Sequence, residues 1–388
     1  MFVLQVSLLL IYVPKLQVGR LCGNRQPEKF DRENEARKTL AQIFGGGIVV
    51  LSVLIGWANH QDTQENQAET QRLTYEAQKT DQYKSAIMQL ANENVEIRLS
   101  GVYVLERIAR TSKEDYWPIM EVLTAFVRNR AYRGSTIRTS PKINSDLQAI
   151  LTVIGQRNTD FDNRRVLNLE DTELVGANLE RANLQGASLA SANLSGANLT
   201  DAVLNWTNLR HATLAGANLS GVVAKQPDFS FSNLNDSKIH NADFEWAKFE
   251  RADLSRADLY MTGVMNANFI GASLRKARFL ASGLNAANLS GADLREAQIS
   301  ESELNNANLT GANLEAASLE ACFLVKTIFR AANLRGTNFW QAFVTETDLR
   351  GADLSKTVGF QYERVQDIKV DMKTKLPPRT SIANSPKQ

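Results

Sequence analysis

From residue 169 to residue 354 a large apolar side chain returns at every fifth position, in unbroken frame. The frame holds 38 such positions: 26 Leu, 7 Phe, Ile239, Ile299, Val264 and Val344, with Ala224 the one small residue among them. Two places before the large residue stands a small one in all but three of the 38 repeats, Ala in 24 and Thr, Ser or Cys in 11. Between the two sits Asn or Asp in most repeats, as at Asn178, Asn183, Asp253 and Asp293. A period of five suits neither regular element. On a helix, successive Leu side chains lie about 500° apart around the axis and form no stripe. On a flat strand they alternate between the two faces. A backbone that bends once per repeat aims every one of them at a common axis, and four five-residue sides close such a coil in 20 residues.

These residues resemble the pentapeptide-repeat family, whose motif is a small residue, Asn or Asp, a large apolar residue and two variable positions. The resemblance implies a mainly β fold, a right-handed quadrilateral β-helix of about 9.5 coils over 165–357. At about 4.8 Å between stacked strands, that stack is about 45 Å tall. Residues 20 apart then lie above one another. Phe229, Phe249 and Phe269 are expected to stack, with Leu289, Leu309 and Phe329 continuing the column, and Asn178, Asn198 and Asn218 to form a ladder. The stretch Val222, Val223, Ala224, Lys225, Gln226, Pro227 loses both the small and the large residue without breaking frame, and a local bulge or a loosened side is expected there.

Upstream the pattern changes. No charged residue occurs over 39–59, and the stretch opening on Leu40 and closing on Trp57 is 18 residues long. A helix of that length covers about 27 Å, enough for a bilayer core. Trp57 suits an interfacial position, and Gly45, Gly46 and Gly47 are tolerated in membranes. The competing reading, a buried helix of a soluble domain, calls for an amphipathic stripe, which is absent. A second apolar stretch runs from Phe2 to Val13, too short to span alone and without the basic n-region of a signal peptide. It reads as a truncated first span, one half of a hairpin, or as a lipid-surface segment. Seven basic residues lie between Lys15 and Lys38, whereas 58–82 holds only Arg72 and Lys79. The positive-inside rule places the 15–38 side in the cytoplasm and the repeats on the other side of the membrane.

The remaining organisation follows from composition. Segment 1–38 is an apolar start and basic loop, 39–59 the transmembrane helix, and 60–82 a polar helical stalk. Ala68, Leu73 and Tyr75 are too few apolar residues for a coiled-coil seam. Residues 83–160 show helical apolar spacing, in two helices broken near Asn92–Asn94 and two more joined by the loop 133–141. The stretches 101–109, 117–128 and 30–42 resemble a helical module that precedes pentapeptide repeats in bacterial, notably cyanobacterial, membrane proteins. That resemblance implies the inner membrane of a bacterium and brings no catalytic residues. The module is expected to cover the first coil, whose open edge otherwise invites aggregation. In 358–388, residues 361–369 are expected to form a cap helix over the last coil, before the family-like ending 373–378 and a disordered tail from Thr380.

Charge and chemistry narrow the function. Lys+Arg number 44 and Asp+Glu 42, so the chain is neither a globally basic nucleic-acid binder nor a globally acidic mimic. Cys22 and Cys322 are too few for a disulfide framework and too isolated for a zinc cluster. Of the three histidines, His60 lies at the membrane edge, while His211 and His240 fall at different points of the coil and read as solvated. No phosphate-binding loop, dinucleotide turn, zinc-protease motif or nucleophile elbow is present. No catalytic, cofactor or metal residue is therefore assigned, and no converging polar residues are legible in 83–157. The expectation is a non-catalytic, membrane-anchored interaction scaffold for a protein partner, with neither nucleic acid nor small-molecule substrate. The alternative is a DNA-mimicking modulator of gyrase, as in quinolone-protecting family members. It calls for a dense acidic field, yet 167–356 holds 21 acidic and 16 basic residues.

Overall fold

The computed structural model describes residues 26–132 and 143–378, with side chains from residue 31. The apolar stretch 2–13, the loop 133–141 and the tail from Thr380 lie outside the described residues. The chain divides into two compact units, Met1–Asp81 and Gln82–Gln388.

The first unit is built on helix α1, Gln26–Leu90, whose final turns belong to the second unit. Among the described residues α1 is the one helix long and apolar enough to cross a membrane, and none of its apolar window is buried by protein. Ile43, Val49, Val53 and Trp57 are all more than half exposed. The polar groups in and beside this window are satisfied locally. Ser52 donates to the Ile48 carbonyl at 2.8 Å and Thr63 to that of Asn59 at 2.6 Å, the arrangement that lets hydroxyls enter an apolar environment.

In the second unit the end of α1 packs with α2 (Val95–Thr111), α3 (Lys113–Arg130) and α4 (Ser145–Gly155). The break at 91–94 falls where the asparagines stand. Asn94 Oδ1 accepts the Glu96 N–H at 2.8 Å and caps α2, while Asn92 Oδ1 accepts the Asn94 N–H. At Gly101 a Cβ would come within 2.7 Å of the Ala86 carbonyl oxygen, so the crossing of α1 and α2 requires glycine. Arg98 donates to Asp146 Oδ2 at 2.7 Å and to the carbonyls of Asn92 and Glu93, tying α2 to α4 and to the loop.

From Asn168 onward the backbone pairs in parallel with the residue 20 places later, from Asn168↔Ser188 to Asn338↔Val358, in four columns. Leu174 shows the repeating bond set. Its N–H donates to Asn193, that of Gly176 to Ser195, and that of Ala177 back to Leu174 across the corner. The second corner residue has positive φ, 67° at Gly176 and 57° at Lys276, as a type II turn demands. Every large position from Leu169 to Leu354 is at most 2% exposed, and each buried side chain of this kind contributes about 1.5–3 kcal/mol. Phe229 and Phe249 stack with ring centroids 5.0 Å apart, and Phe249 and Phe269 at 4.8 Å. In the asparagine column Asn198 Nδ2 donates to Asn178 Oδ1 at 3.3 Å, but Asn218 turns to Thr200 Oγ1.

Two expectations are corrected. There is no bulge at 222–227: Val223 pairs in register with Val203 and Asp243, and Ala224 is buried. Phe244, one coil further on in the same column, packs edge-to-face against Phe229 and Phe249. The side is loosened only by the loss of one corner hydrogen bond, because Pro227 has no N–H. Nor do residues 361–369 form a helix. They hold a 3-10 turn, Tyr362–Arg364, and then strand β2 (Val365–Gln366), parallel to β1 (Val344–Thr345). The chain adds another, irregular coil, its register lengthening to 21 at Asp348↔Lys369 and 22 at Asp353↔Lys375. Phe360, 3% exposed, fills the interior edge-to-face against Phe339. The spacing from Phe360 to Val365 continues the five-residue period, which a helix cannot use.

Arg98→Met should destabilise the helical module by about 3 kcal/mol, because it leaves the fully buried Asp146 carboxylate with only the more distant Arg130, at 3.8 Å. Urea unfolding followed by far-UV circular dichroism measures this, and a change below about 1 kcal/mol contradicts the assigned role.

Candidate functional site

The outward positions of the coil are not uniform solvent-facing groups. The Asn or Asp before each large residue turns its Oδ1 back onto the N–H two residues on, at 3.2 Å from Asn178 to Glu180 and 3.0 Å from Asp253 to Ser255. These carboxylates and amides brace the corners, which is why that residue type recurs and why it carries no acid–base meaning. The preference of Asn and Asp side chains for bonds to nearby backbone is the signal in the sequence that points to this role. At the small position a hydroxyl donates to a carbonyl 23 residues earlier, as Thr207 does to Leu184 at 2.9 Å and Ser282 to Leu259 at 2.6 Å. Cys322 takes the same place against Ile299, and burial pushes its thiol pKa up to about 12, so it is no nucleophile.

The histidines stand apart, as their spacing implies, but neither is merely solvated. His211 stacks on Phe231 with centroids 5.0 Å apart, and Arg210 lies over the same ring. His240 Nε2 lies 3.1 Å from Asp258, which also pairs with Arg278. Among the described residues no cluster of His, Cys, Asp and Glu could hold a metal ion. Larger apolar side chains stand outside the coil, including Trp206, Trp246, Met261, Met265, Phe323 and Phe343, each more than two-fifths exposed.

The first coil's open edge is closed by the helices. Gln148 on α4 donates its amide to the Asn178 carbonyl at 2.7 Å and accepts the Asn178 N–H at 2.8 Å, replacing one peptide group of a missing coil. The Gly155 carbonyl accepts the Asn183 N–H at 2.8 Å, and a Cβ on Gly155 would lie 2.9 Å from that of Ala182. Arg157 donates to the Asn183 carbonyl at 2.9 Å, to that of Gln185, and to Asp162. Burial opposes both charges of this pair, pulling the Arg157 pKa down and the Asp162 pKa up, and each partner's charge works against that.

Beside this pair the structure brings polar groups together where the sequence showed none converging. A cavity of about 170 Å³ is lined by Glu106, Arg110, Tyr116, Gln156, Arg157 and Asn158 with apolar neighbours. The Tyr116 hydroxyl is buried without a hydrogen-bond partner, and burial, then the Asp162 charge, pushes its pKa up to about 12. It stays a proton donor at neutral pH. The titratable groups that line the space are Glu106, Arg110, Tyr116 and Arg157.

At the other end Arg350 and Arg330 lie 2.7 and 2.6 Å from Asp348, and these bonds hold its carboxyl well below the usual carboxylate range. Asp353 is lowered to about 2 by the Ser355 hydroxyl and N–H and by Lys375.

The family model for pentapeptide repeats matches in 8 copies, over residues 168–201, 202–241, 237–260, 265–297, 287–324 and 327–357. No curated protein matches the chain. Among solved structures, HetL of the cyanobacterium Nostoc, a pentapeptide repeat protein involved in heterocyst differentiation regulation, is 27% identical over 48% of this chain and 88% of its own, with a TM-score of 0.36. A pentapeptide repeat protein of the Arabidopsis thaliana thylakoid lumen is 34% identical over 27% of this chain and 66% of its own, with a TM-score of 0.18. QnrB1, a plasmid-mediated fluoroquinolone resistance protein, is 18% identical over 48% of this chain and 91% of its own, with a TM-score of 0.34.

Arg157→Met should lower the melting temperature and raise aggregation on heating, since it strands Asp162 and uncovers two carbonyls of the edge. Light scattering during a thermal ramp reads this, and a wild-type trace contradicts it. Because the Asp348 and Asp353 pKa values are depressed in the folded state, their stabilisation is present above about pH 4 and is lost as pH falls through the folded values. Asp348→Asn should therefore flatten the loss of stability below about pH 4; an unchanged acid profile contradicts the assignment.

Proposed function

The chain belongs to the pentapeptide-repeat family, and on that premise we propose that it is a membrane-anchored, non-catalytic scaffold whose coil presents flat faces to a protein partner. The filled interior carries this reading: large positions at most 2% exposed from Leu169 to Leu354 leave the coil no substrate chamber. What varies from repeat to repeat is the outward side chains, held in columns by the backbone pairing, and such columns suit recognition of an extended surface. The charge-free stretch 39–59 serves as the anchor, 60–82 as the stalk and 83–160 as the cap of a coil of about 9.5 turns over 165–357. The basic residues of 15–38 favour a cytoplasmic start and an extracytoplasmic coil.

The charge pattern speaks against the gyrase reading. A duplex mimic needs a dense acidic field, and here acidic residues are offset along the columns by bases, as Arg256 offsets Asp236 at 2.6 Å and Lys276 offsets Glu296 at 3.4 Å. Absence of any effect of the purified chain on gyrase supercoiling is the expected outcome.

Three measurements test the proposal. The chain should pellet with membranes and resist carbonate extraction, and deletion of 40–57 should release it. In intact spheroplasts a membrane-impermeant maleimide should label Asn66→Cys and leave native Cys22 unlabelled until the cells are opened. Crosslinking from native membranes should capture a protein bound to the coil. A soluble chain, or reversed labelling, contradicts the anchor or its orientation respectively.

A further inference from the structure

The columns distribute charge unequally between two opposite sides of the coil. Backbone columns ten residues apart lie two sides apart on a four-sided coil, so they face away from each other. On the side formed by 240–246 and its successors every 20 residues through 340–346, six acidic residues stand against one base, Lys326. On the opposite side, 250–256 and its successors through 350–356, nine basic residues stand against six acidic ones. The coil is therefore bipolar across its width over these six turns.

The two sides also differ in relief. Trp246, Met261, Met265, Phe323 and Phe343 project from the acidic side, each 43–53% exposed. At its centre Gly263 and Gly283 leave a trough that the backbone does not require: neither has positive φ, and a Cβ on Gly283 would meet nothing within 4 Å. The basic side is bordered by a low corner of Gly271, Gly291, Gly311, Ala331 and Gly351. Several charges are left without an ion pair among the described residues: Asp243, Glu245 and Glu301 on one side, Arg275, Arg335 and Lys356 on the other.

We propose that the occupant of the acidic side is the basic side of a second copy of this chain. Charge complementarity supports the pairing, and so does commensurability. Two copies share one rise per coil, about 4.8 Å, so the charged rows of the acidic side, 240–246 and 300–306, can meet the basic rows 270–276 and 330–336, which lie the same three coils apart. Because the two contacting sides differ, the contact is heterologous and does not close: each copy keeps one acidic and one basic side free, and copies add side by side into a row. Confinement to a bilayer would favour such rows by raising the effective concentration. This deepens the scaffold reading, resting on its non-catalytic coil but not on its membrane anchor.

The test uses the full-length chain in detergent micelles, followed by sedimentation velocity at about 50 and about 500 mM salt. Self-association should weaken by about tenfold or more at the higher salt. Arg275→Glu/Arg335→Glu/Lys356→Glu makes both sides acidic, and Asp243→Lys/Glu245→Lys/Glu301→Lys makes the acidic side basic. Each variant alone should remain monomeric, and mixing the two should restore association as rows in which the two variants alternate. All six positions project outward, so unchanged melting curves establish that the variants fold. A monomeric wild type, association that survives charge reversal, or failure of the mixture to associate overturns the proposal. In the first and last of these results the scaffold reading stands or falls separately, on whether crosslinking from native membranes captures a different protein.

Discussion

Each turn of the coil carries four large apolar side chains to its axis, and the backbone hydrogen bonds follow from that. With Leu or Phe held inward at every fifth residue, the chain must bend between them, and stacking the bends brings the peptide groups of successive turns into bonding distance. The burial is continuous: Leu169 through Leu354 form one column of contacts with the small residues two places ahead. Removing one large side chain from such a core costs about 2–5 kcal/mol where the surroundings cannot collapse. Around Ala224 the core is instead rich in phenylalanine, with Phe229 in the same coil and Phe244 and Phe249 in the next, packed against one another.

A stacked coil has two ends, and the structure treats them differently. At the start the helices supply stand-ins for a missing turn: the Gln148 amide for a peptide group, the Gly155 carbonyl for an acceptor, the Arg157 guanidinium for two donors. The same arginine forms part of the wall of the cavity beside Tyr116. At the far end the chain prolongs the coil with a loosened register, and Phe360 closes the interior. Edge pairing of coils end to end is thereby hindered, while the lateral faces stay open.

The repeat, its period of 20 and the phenylalanine column were legible because a single strong periodicity encodes them. The helix break near Asn92–Asn94 was legible because asparagine caps announce themselves. The C-terminal coil was misread as a helix because Tyr362 to Lys369 carry helical-looking polarity, while the decisive five-residue step from Phe360 to Val365 is only one interval long. The corner-bracing role of Asn and Asp escaped because side-chain bonding within a turn leaves no periodic signature distinct from solvent exposure. The Tyr116 cavity escaped for a different reason: its residues come from three helices and the following turn, and nothing in their spacing links them.

Single-residue hydrogen exchange of the folded chain tests the central geometry most directly. Within each repeat the amides of the small residue, the Asn or Asp, the large residue and the second corner residue are all held by backbone carbonyls, while the first corner amide is not. Protection should therefore dip once every five residues from 170 to 355, most deeply at positions such as Met265 and Arg330, where no Asn or Asp precedes to brace the corner. A helical pattern of protection, or uniform exchange without the five-residue dip, would contradict an axis filled by one large side chain per bend.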